Sequence, residues 1–375
     1  MFPFLKKIDW LLLFFVLIIS LGGLLTMRSF VPVDGQADFF SRQIIWLVVS
    51  LVAFFIFASF DFRFFKRSDI LFYLFLIFCG ILLLLFAVGS TAKGAQSWFS
   101  FGGFSFQPVD MMKLIVILVL AKYFSRRHVE IKNFKHIFIS GFYAFVPFIL
   151  VFLQPDFGSA MIIFFIWLGI ILVSGISKRH LLVLGGAGIL IFIILWTSVF
   201  APYQKARIAT FLNPLSDIRG TGYNAYQSTV AVGSGEFLGK GLGFGTQSRL
   251  KFLPEYQTDF IFASFSEEWG FVGSFIILVL FVLVFWRILQ ISLVAASNFE
   301  MLFGIGLAIY FMSHILINIG MNLGIMPVTG IPLPFMSYGG SHLLTEFIAL
   351  GILMSMRNKT RAIHRDDIKN EFLGI

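Results

Sequence analysis

The chain has 375 residues, of which 58% are hydrophobic and 13% charged, with a formal charge of +9. Soluble domains carry about 25% charged residues. Together with apolar runs of membrane-spanning length along the whole chain, this excludes an ordinary soluble domain and describes an all-α polytopic membrane protein. The basic excess does not point to nucleic acid, because 18 of the 28 Lys and Arg fall on one side of a consistent topology. That is the positive-inside pattern, and anionic membrane lipid accounts for it. The single cysteine, Cys79, excludes an intrachain disulfide and a cysteine metal cluster.

Ten transmembrane helices are predicted: Trp10 to Met27, Ile44 to Phe60, Ile70 to Val88, Val109 to about Phe124, Ile137 to Leu153, Gly158 to Ser174, Leu181 to Phe200, Phe260 to Trp286, Met301 to Leu323 and Leu343 to Met356. The start resembles a signal peptide, with Lys6 and Lys7 before the apolar run, but it shows no small-residue cleavage site and reads as a retained first helix. The basic short loops, such as Arg63 to Arg67 and Lys122 to Lys135, place both termini in the cytoplasm. The chain thus reads as one transmembrane domain over 1–375, with a large extracytoplasmic loop at 201–258 and a cytoplasmic tail at 357–375.

Eight glycines lie between Gly220 and Gly245 of that loop, which permits close backbone approach to a ligand and equally suits plain mobility. The loop also carries Lys205, Arg207, Arg219, Lys240, Arg249 and Lys251, and positive charge outside fits an anionic substrate. Three polar clusters share the outer side. In Phe106 to Lys113, Pro108 suits a helix start, and Asp110 and Lys113 lie on one helix face, able to pair. In Gln154-Pro-Asp156-Phe-Gly158, Asp156 reads as a cap and turn residue. Met326 to Ser341 holds three prolines, and such irregular backbone persists at membrane depth only when buried or lining a cavity. Asn318, Asn322, Ser337 and Tyr338 nearby read as groove lining or as satisfied bundle polars. His314 reads as a buried hydrogen-bonding residue, and no second histidine stands at zinc-site spacing. No nucleotide-binding or nucleophile motif appears.

The segment joining the loop to the eighth span, Leu250 to Gly270, carries Glu255, Asp259, Glu267 and Glu268. Carboxylates at the mouth of a membrane helix are costly and usually have a task or a partner. Asp259 stands directly before Phe260-Ile-Phe-Ala263 and suits a partly desolvated general base. An ordinary helix N-cap explains it as well.

Several stretches resemble the SEDS family (shape, elongation, division and sporulation). They are Lys93-Gly-Ala-Gln-Ser-Trp98, Phe106-Gln-Pro with Lys113, Gln154-Pro-Asp-Phe-Gly158, Phe211-Leu-Asn-Pro214, Gly222-Tyr-Asn-Ala-Tyr-Gln-Ser228, Phe252 to Ala263, and Ser337-Tyr-Gly-Gly-Ser341. Val328 to Pro334 looks like the elongation-type version of its segment rather than the division-type one. The resemblance implies ten helices and a peptidoglycan glycosyltransferase that polymerises lipid II at the outer face of the bacterial cytoplasmic membrane. It implies a class B penicillin-binding protein as transpeptidase partner, alongside other membrane proteins of the elongation complex. Asp259 matches the family's essential carboxylate. Asp110 stands where the family usually has Glu, and His342 where it usually has a small residue.

The expected mechanism is inverting, with Asp259 as general base and a divalent cation, Mg2+ or Mn2+, assisting pyrophosphate departure. Lys113, Asp110, Arg207, Lys240, Arg249, Glu255, Glu268 and Ser337 are the expected substrate-binding residues, and the metal's ligands are not legible. The alternatives are a lipid II flippase and a non-catalytic scaffold for the penicillin-binding protein. A flippase would need a midplane site open to both sides, whereas these clusters gather at one face.

Overall fold

A computed structural model describes residues 8–30, 39–92, 95–101, 104–125, 134–200, 205–206, 209–211 and 222–373. The helices are α1 (Trp10–Ser29), α2 (Phe39–Ser59), α3 (Ser68–Val88), α4 (Pro108–Ser125), α5 (Phe134–Leu153), α6 (Phe157–Val173), α7 (Lys178–Ile194), α8 (Tyr223–Ser234), α9 (Thr246–Arg249), α10 (Ile261–Leu293), α11 (Asn298–Asn322) and α12 (Gly340–Leu373). Each of the ten expected spans falls on a helix. Among the described residues, seven helices are long and apolar enough to cross a membrane: α1, α2, α3, α5, α7 with its continuation to Ser198, α10 and α11. The fold is that of a multi-pass membrane protein.

Local chemistry sets several helix starts. Asp9 caps α1 by accepting from the Leu12 amide at 3.1 Å, and Asp156 caps α6 through the Ser159 amide at 3.0 Å. α4 opens on Pro108, whose missing N–H costs nothing at a first turn. α4 buries 14 of its 18 residues and, with α11, forms the middle of the bundle, packed against α6 and α3. Small residues allow close helix approach where lipid gives no hydrophobic drive. A Cβ at Gly306 would lie 2.7 Å from Ile117, and one at Gly169 would lie 2.6 Å from Ile309. α7, by contrast, has no buried residue among its described side chains and lies at the bundle edge.

Two features add to the expected spans, and one span is corrected. The α3–α4 connection forms an antiparallel meander of β1 (Ser90–Ala92), β2 (Ala95–Phe101) and β3 (Phe104–Phe106), with Phe99 opposite Phe106. The segment expected as cytoplasmic tail stays helical to Leu373. The eighth span, expected as one run, breaks at Gly270, whose φ is 65°. Its first piece, Ile261 to Glu268, is buried throughout, and the rest turns Phe271, Phe275 and Val282 outward.

The glycine-rich loop fills that break. α8 packs on α10 and α11, and the turn after it supplies the hydrogen bonds that the broken helix lacks. The amides of Phe271 and Val272 donate to the carbonyls of Glu236 and Phe237 at 2.9 and 3.1 Å. In return, the amides of Lys240 and Gly241 donate to the carbonyls of Glu267 and Glu268, each at 3.0 Å. Non-helical backbone at membrane depth survives only with such partners. The fit leaves no room for side chains: a Cβ at Gly239 would lie 2.2 Å from the Glu268 carbonyl oxygen, and one at Gly270 would lie 2.2 Å from the Gly239 nitrogen.

Candidate active site

Asp259 closes a run of turns that leads into α10, and it is partly exposed. Buried Leu253 and Tyr256 seat this run on the bundle. Burial, with Glu255 beside it, holds the Tyr256 phenol above its ordinary range. The N-cap position of α10 belongs to Phe260, and no side chain caps the helix. Asp259 therefore stands one residue before the N-cap rather than at it.

The backbone of the turn is clamped from two sides. The Asp259 carbonyl accepts from Asn318 Nδ2 at 2.9 Å and Asn322 Nδ2 at 3.0 Å. Asn322 Oδ1 in turn accepts from the Ala263 amide at 3.0 Å, and Asn318 Nδ2 also reaches the Ile331 carbonyl at 2.7 Å. From the proline-rich segment, Ser337 Oγ donates to the Thr258 carbonyl at 2.7 Å and the Tyr338 amide to that of Gln257 at 2.8 Å. Two asparagines inside a membrane helix thus serve to fix one carboxylate-bearing turn.

The structure brings the three predicted polar clusters into one contiguous region. A Cβ on Gly330 would lie 3.5 Å from Asp259 Oδ2, which puts the proline-rich segment against the carboxylate. The same segment packs on the start of α6, where a Cβ at Gly158 would lie 2.9 Å from the Thr329 carbonyl oxygen. Gln107 then links the other two clusters: its Nε2 donates to Asp156 Oδ2 at 3.1 Å and its amide to Ser341 Oγ at 3.3 Å. One turn further on, Lys113 Nζ and Asp110 Oδ1 pair at 3.1 Å, both side chains 2% exposed. The shorter carboxylate reaches its lysine.

The remaining expected site residues divide. Lys240 Nζ lies 2.7 Å from Oε1 of buried Glu267, which also accepts from Thr246 Oγ1 and the Gln247 amide, each at 3.1 Å. Glu268 accepts from the Ser29 hydroxyl and from the Gly243 amide. Both pairings fasten the glycine-rich loop to α10. Glu255 accepts from Thr258 Oγ1 at 3.1 Å and sits at a φ of 50° within the turn. Ser337, as described, holds backbone. Arg249 is exposed and donates to the Gly243 carbonyl at 3.2 Å. Arg207 lies outside the described residues.

Sequence reasoning missed Glu346, which is fully buried in α12, four residues after His342. Its signal was available, since a lone acid amid Leu343 to Met356 is costly unless paired. For the expected divalent cation, no group of three or more His, Cys, Asp or Glu side chains among the described residues is arranged to hold a metal ion, and no step below is routed through one.

Fold and site together define a multi-pass helical membrane protein whose polar clusters gather around one clamped aspartate. Residues 5–362 match the FtsW/RodA/SpoVE family, described as "Cell cycle protein", and the chain belongs to that family. It is 36% identical over 362 residues to stage V sporulation protein E of Bacillus subtilis (strain 168), covering 94% of this chain and 98% of that one. It is 40% identical over 296 residues to peptidoglycan glycosyltransferase MrdB of Escherichia coli (strain K12), covering 78% and 79%. A chain in a solved structure, described as structural coordination of polymerization and crosslinking by a peptidoglycan synthase complex, superposes with a TM-score of 0.81 at 29% identity, covering 94% and 98%.

Proposed function

We propose that this chain is a peptidoglycan glycosyltransferase that polymerises lipid II at the outer face of the cytoplasmic membrane, with Asp259 as general base. The observation that carries the reading is the Asp259 turn: its backbone is held by Asn318, Asn322 and Ser337, and the N-cap position of α10 falls to Phe260. Preorganised geometry of this kind makes an acid useful as a base. A carboxylate oxygen of Asp259 takes the proton from the 4-hydroxyl of the acceptor sugar. The oxygen so released forms a bond to the donor's anomeric carbon, the bond from that carbon to the pyrophosphate oxygen breaks, and undecaprenyl pyrophosphate leaves with the electron pair from the opposite face. The anomeric centre inverts.

Such a base contributes about 10²–10⁴-fold in rate. The leaving pyrophosphate calls for positive charge, and Arg249 is the exposed cation among the described candidates. A divalent cation would arrive on the pyrophosphate itself. The likeness to a synthase complex that couples polymerization and crosslinking supports a class B penicillin-binding protein as partner. Elongation and rod shape are the role favoured by Val328 to Pro334, with both termini in the cytoplasm.

The test is lipid II polymerisation by the purified chain, alone and with its transpeptidase, read as glycan strands on a gel. Strands in either case support the reading. Their absence, with lipid II crossing liposome bilayers instead, would put a flippase in its place.

A further inference from the structure

The reading above gives no task to a buried cluster behind the Asp110–Lys113 pair. His342 of α12 lies between two carboxylates. Its Nδ1 is 3.4 Å from Asp110 Oδ1, the oxygen that also accepts from Lys113, and its Nε2 is 3.0 Å from Glu346 Oε1. The second contact is close without being aligned as a hydrogen bond. The side chains of Asp110, Lys113, His342 and Glu346 are at most 6% exposed. From α11, the His314 ring faces His342 at 5.0 Å, with Tyr310 behind it at 4.8 Å. His314 Nδ1 lies 3.3 Å from the Pro332 carbonyl, which can only accept, so its proton sits there.

We propose that His342, held as an imidazolium, and Glu346 are positioning residues that tie the Asp110–Lys113 pair to the turn bearing Asp259. The proposal rests on the reading of that turn as the active site. A neutral imidazole has one N–H and one lone pair, and here the lone pair would face a carboxylate oxygen away from water. The doubly protonated ring offers its Nδ1–H to Asp110 and sets its positive charge beside Glu346. It also balances the cluster, two carboxylates against Lys113 and His342, where a neutral ring would leave one buried negative charge uncompensated.

The link to the turn runs through backbone. Glu346 Oε2 accepts from the Phe335 amide at 2.9 Å. Phe335 has a φ of 61°, a left-handed conformation uncommon for a bulky residue, which persists only where its surroundings impose it. Two residues on, Ser337 accepts from the Leu333 amide at 2.8 Å and donates to the Thr258 carbonyl, next to Asp259. The path from Asp110 through His342, Glu346, Phe335 and Ser337 to Thr258 joins α4, α12 and the base.

Two measurements test this on the full-length chain. In ¹⁵N-histidine NMR near neutral pH, His342, assigned by loss of its signals in His342→Gln, is expected to show two protonated ring nitrogens. A neutral ring overturns the proposal. In lipid II polymerisation, Glu346→Gln keeps an oxygen for Phe335 and removes only the charge. It and His342→Gln are each expected to lower kcat more than about tenfold with KM within about threefold, and the double variant no further than the worse single. Wild-type kcat in a folded Glu346→Gln, beside an inactive Asp259→Asn, overturns the positioning role alone. An active Asp259→Asn removes the reading beneath it, and the proposal with it.

Discussion

Replacing Gly239 by alanine tests the claim that the glycine-rich loop completes the broken helix. Gly239 has a φ of 84°, and a methyl there would lie 2.2 Å from the Glu268 carbonyl oxygen and 2.6 Å from the Gly270 nitrogen. The left-handed conformation costs an alanine about 1–2 kcal/mol. Relieving the overlap pulls the loop from α10 and breaks the bonds from the Lys240 and Gly241 amides, at about 1 kcal/mol each. The sum, about 3–4 kcal/mol, makes local opening roughly 10²–10³-fold more populated. Gly243→Ala is the control, because its φ is 79° but its Cβ would meet nothing within 4 Å. It carries the conformational term alone, an increase of about 5–30-fold. Hydrogen exchange at the amides of Lys240, Gly241, Phe271 and Val272 reads the opening directly. Equal exchange in the two variants would refute the clamp.

Other substitutions probe other parts of the account. Glu267→Ala removes the carboxylate that gathers Lys240, Thr246 and Gln247. It is expected to cost about 3–5 kcal/mol as a broken buried network, and to lower the thermal midpoint more than Lys240→Ala, because Lys240 is 28% exposed and can be hydrated. Asn318→Ala leaves the Asp259 and Ile331 carbonyls short of a donor. At about 1–3 kcal/mol of mispositioning, kcat should fall about 5–150-fold with KM held, and a change in KM alone would count against the positioning role. Asp9→Ala releases Arg287 and Arg357, which lie 2.8 and 2.9 Å from Asp9 Oδ2, and removes the cap of α1. The thermal midpoint should fall while KM for lipid II stays unchanged.

The helices were largely legible because length and hydropathy report them directly, and Pro108 and Asp156 marked two starts by their own chemistry. The break at Gly270 was not legible. It depends on a left-handed glycine whose carbonyl and amide neighbours find partners some thirty residues earlier, and no local pattern carries that pairing. The strands at 90–106 are short, and a fixed window of hydropathy passes over them. At the site, an acid before Phe260-Ile-Phe-Ala263 marked Asp259, but only the structure sets the N-cap at Phe260, one residue later. The partners of Lys240 and Glu268, Glu267 for one and Ser29 for the other, meet them only in three dimensions and were not legible. Glu346 is the reverse case: its cost in an apolar helix was visible, and its partner His342 stood one turn away.

The claim at the centre of the account is that the Asp259 carboxylate takes the acceptor's proton. Polymerisation rates with Asp259→Asn and Asp259→Glu, alongside lipid II binding to the same preparations, test it most directly. The asparagine is nearly isosteric and should bind lipid II as the wild type does, with turnover reduced about 10²-fold or more. Glutamate should restore part of that loss. Wild-type turnover in a folded Asp259→Asn would contradict the assignment.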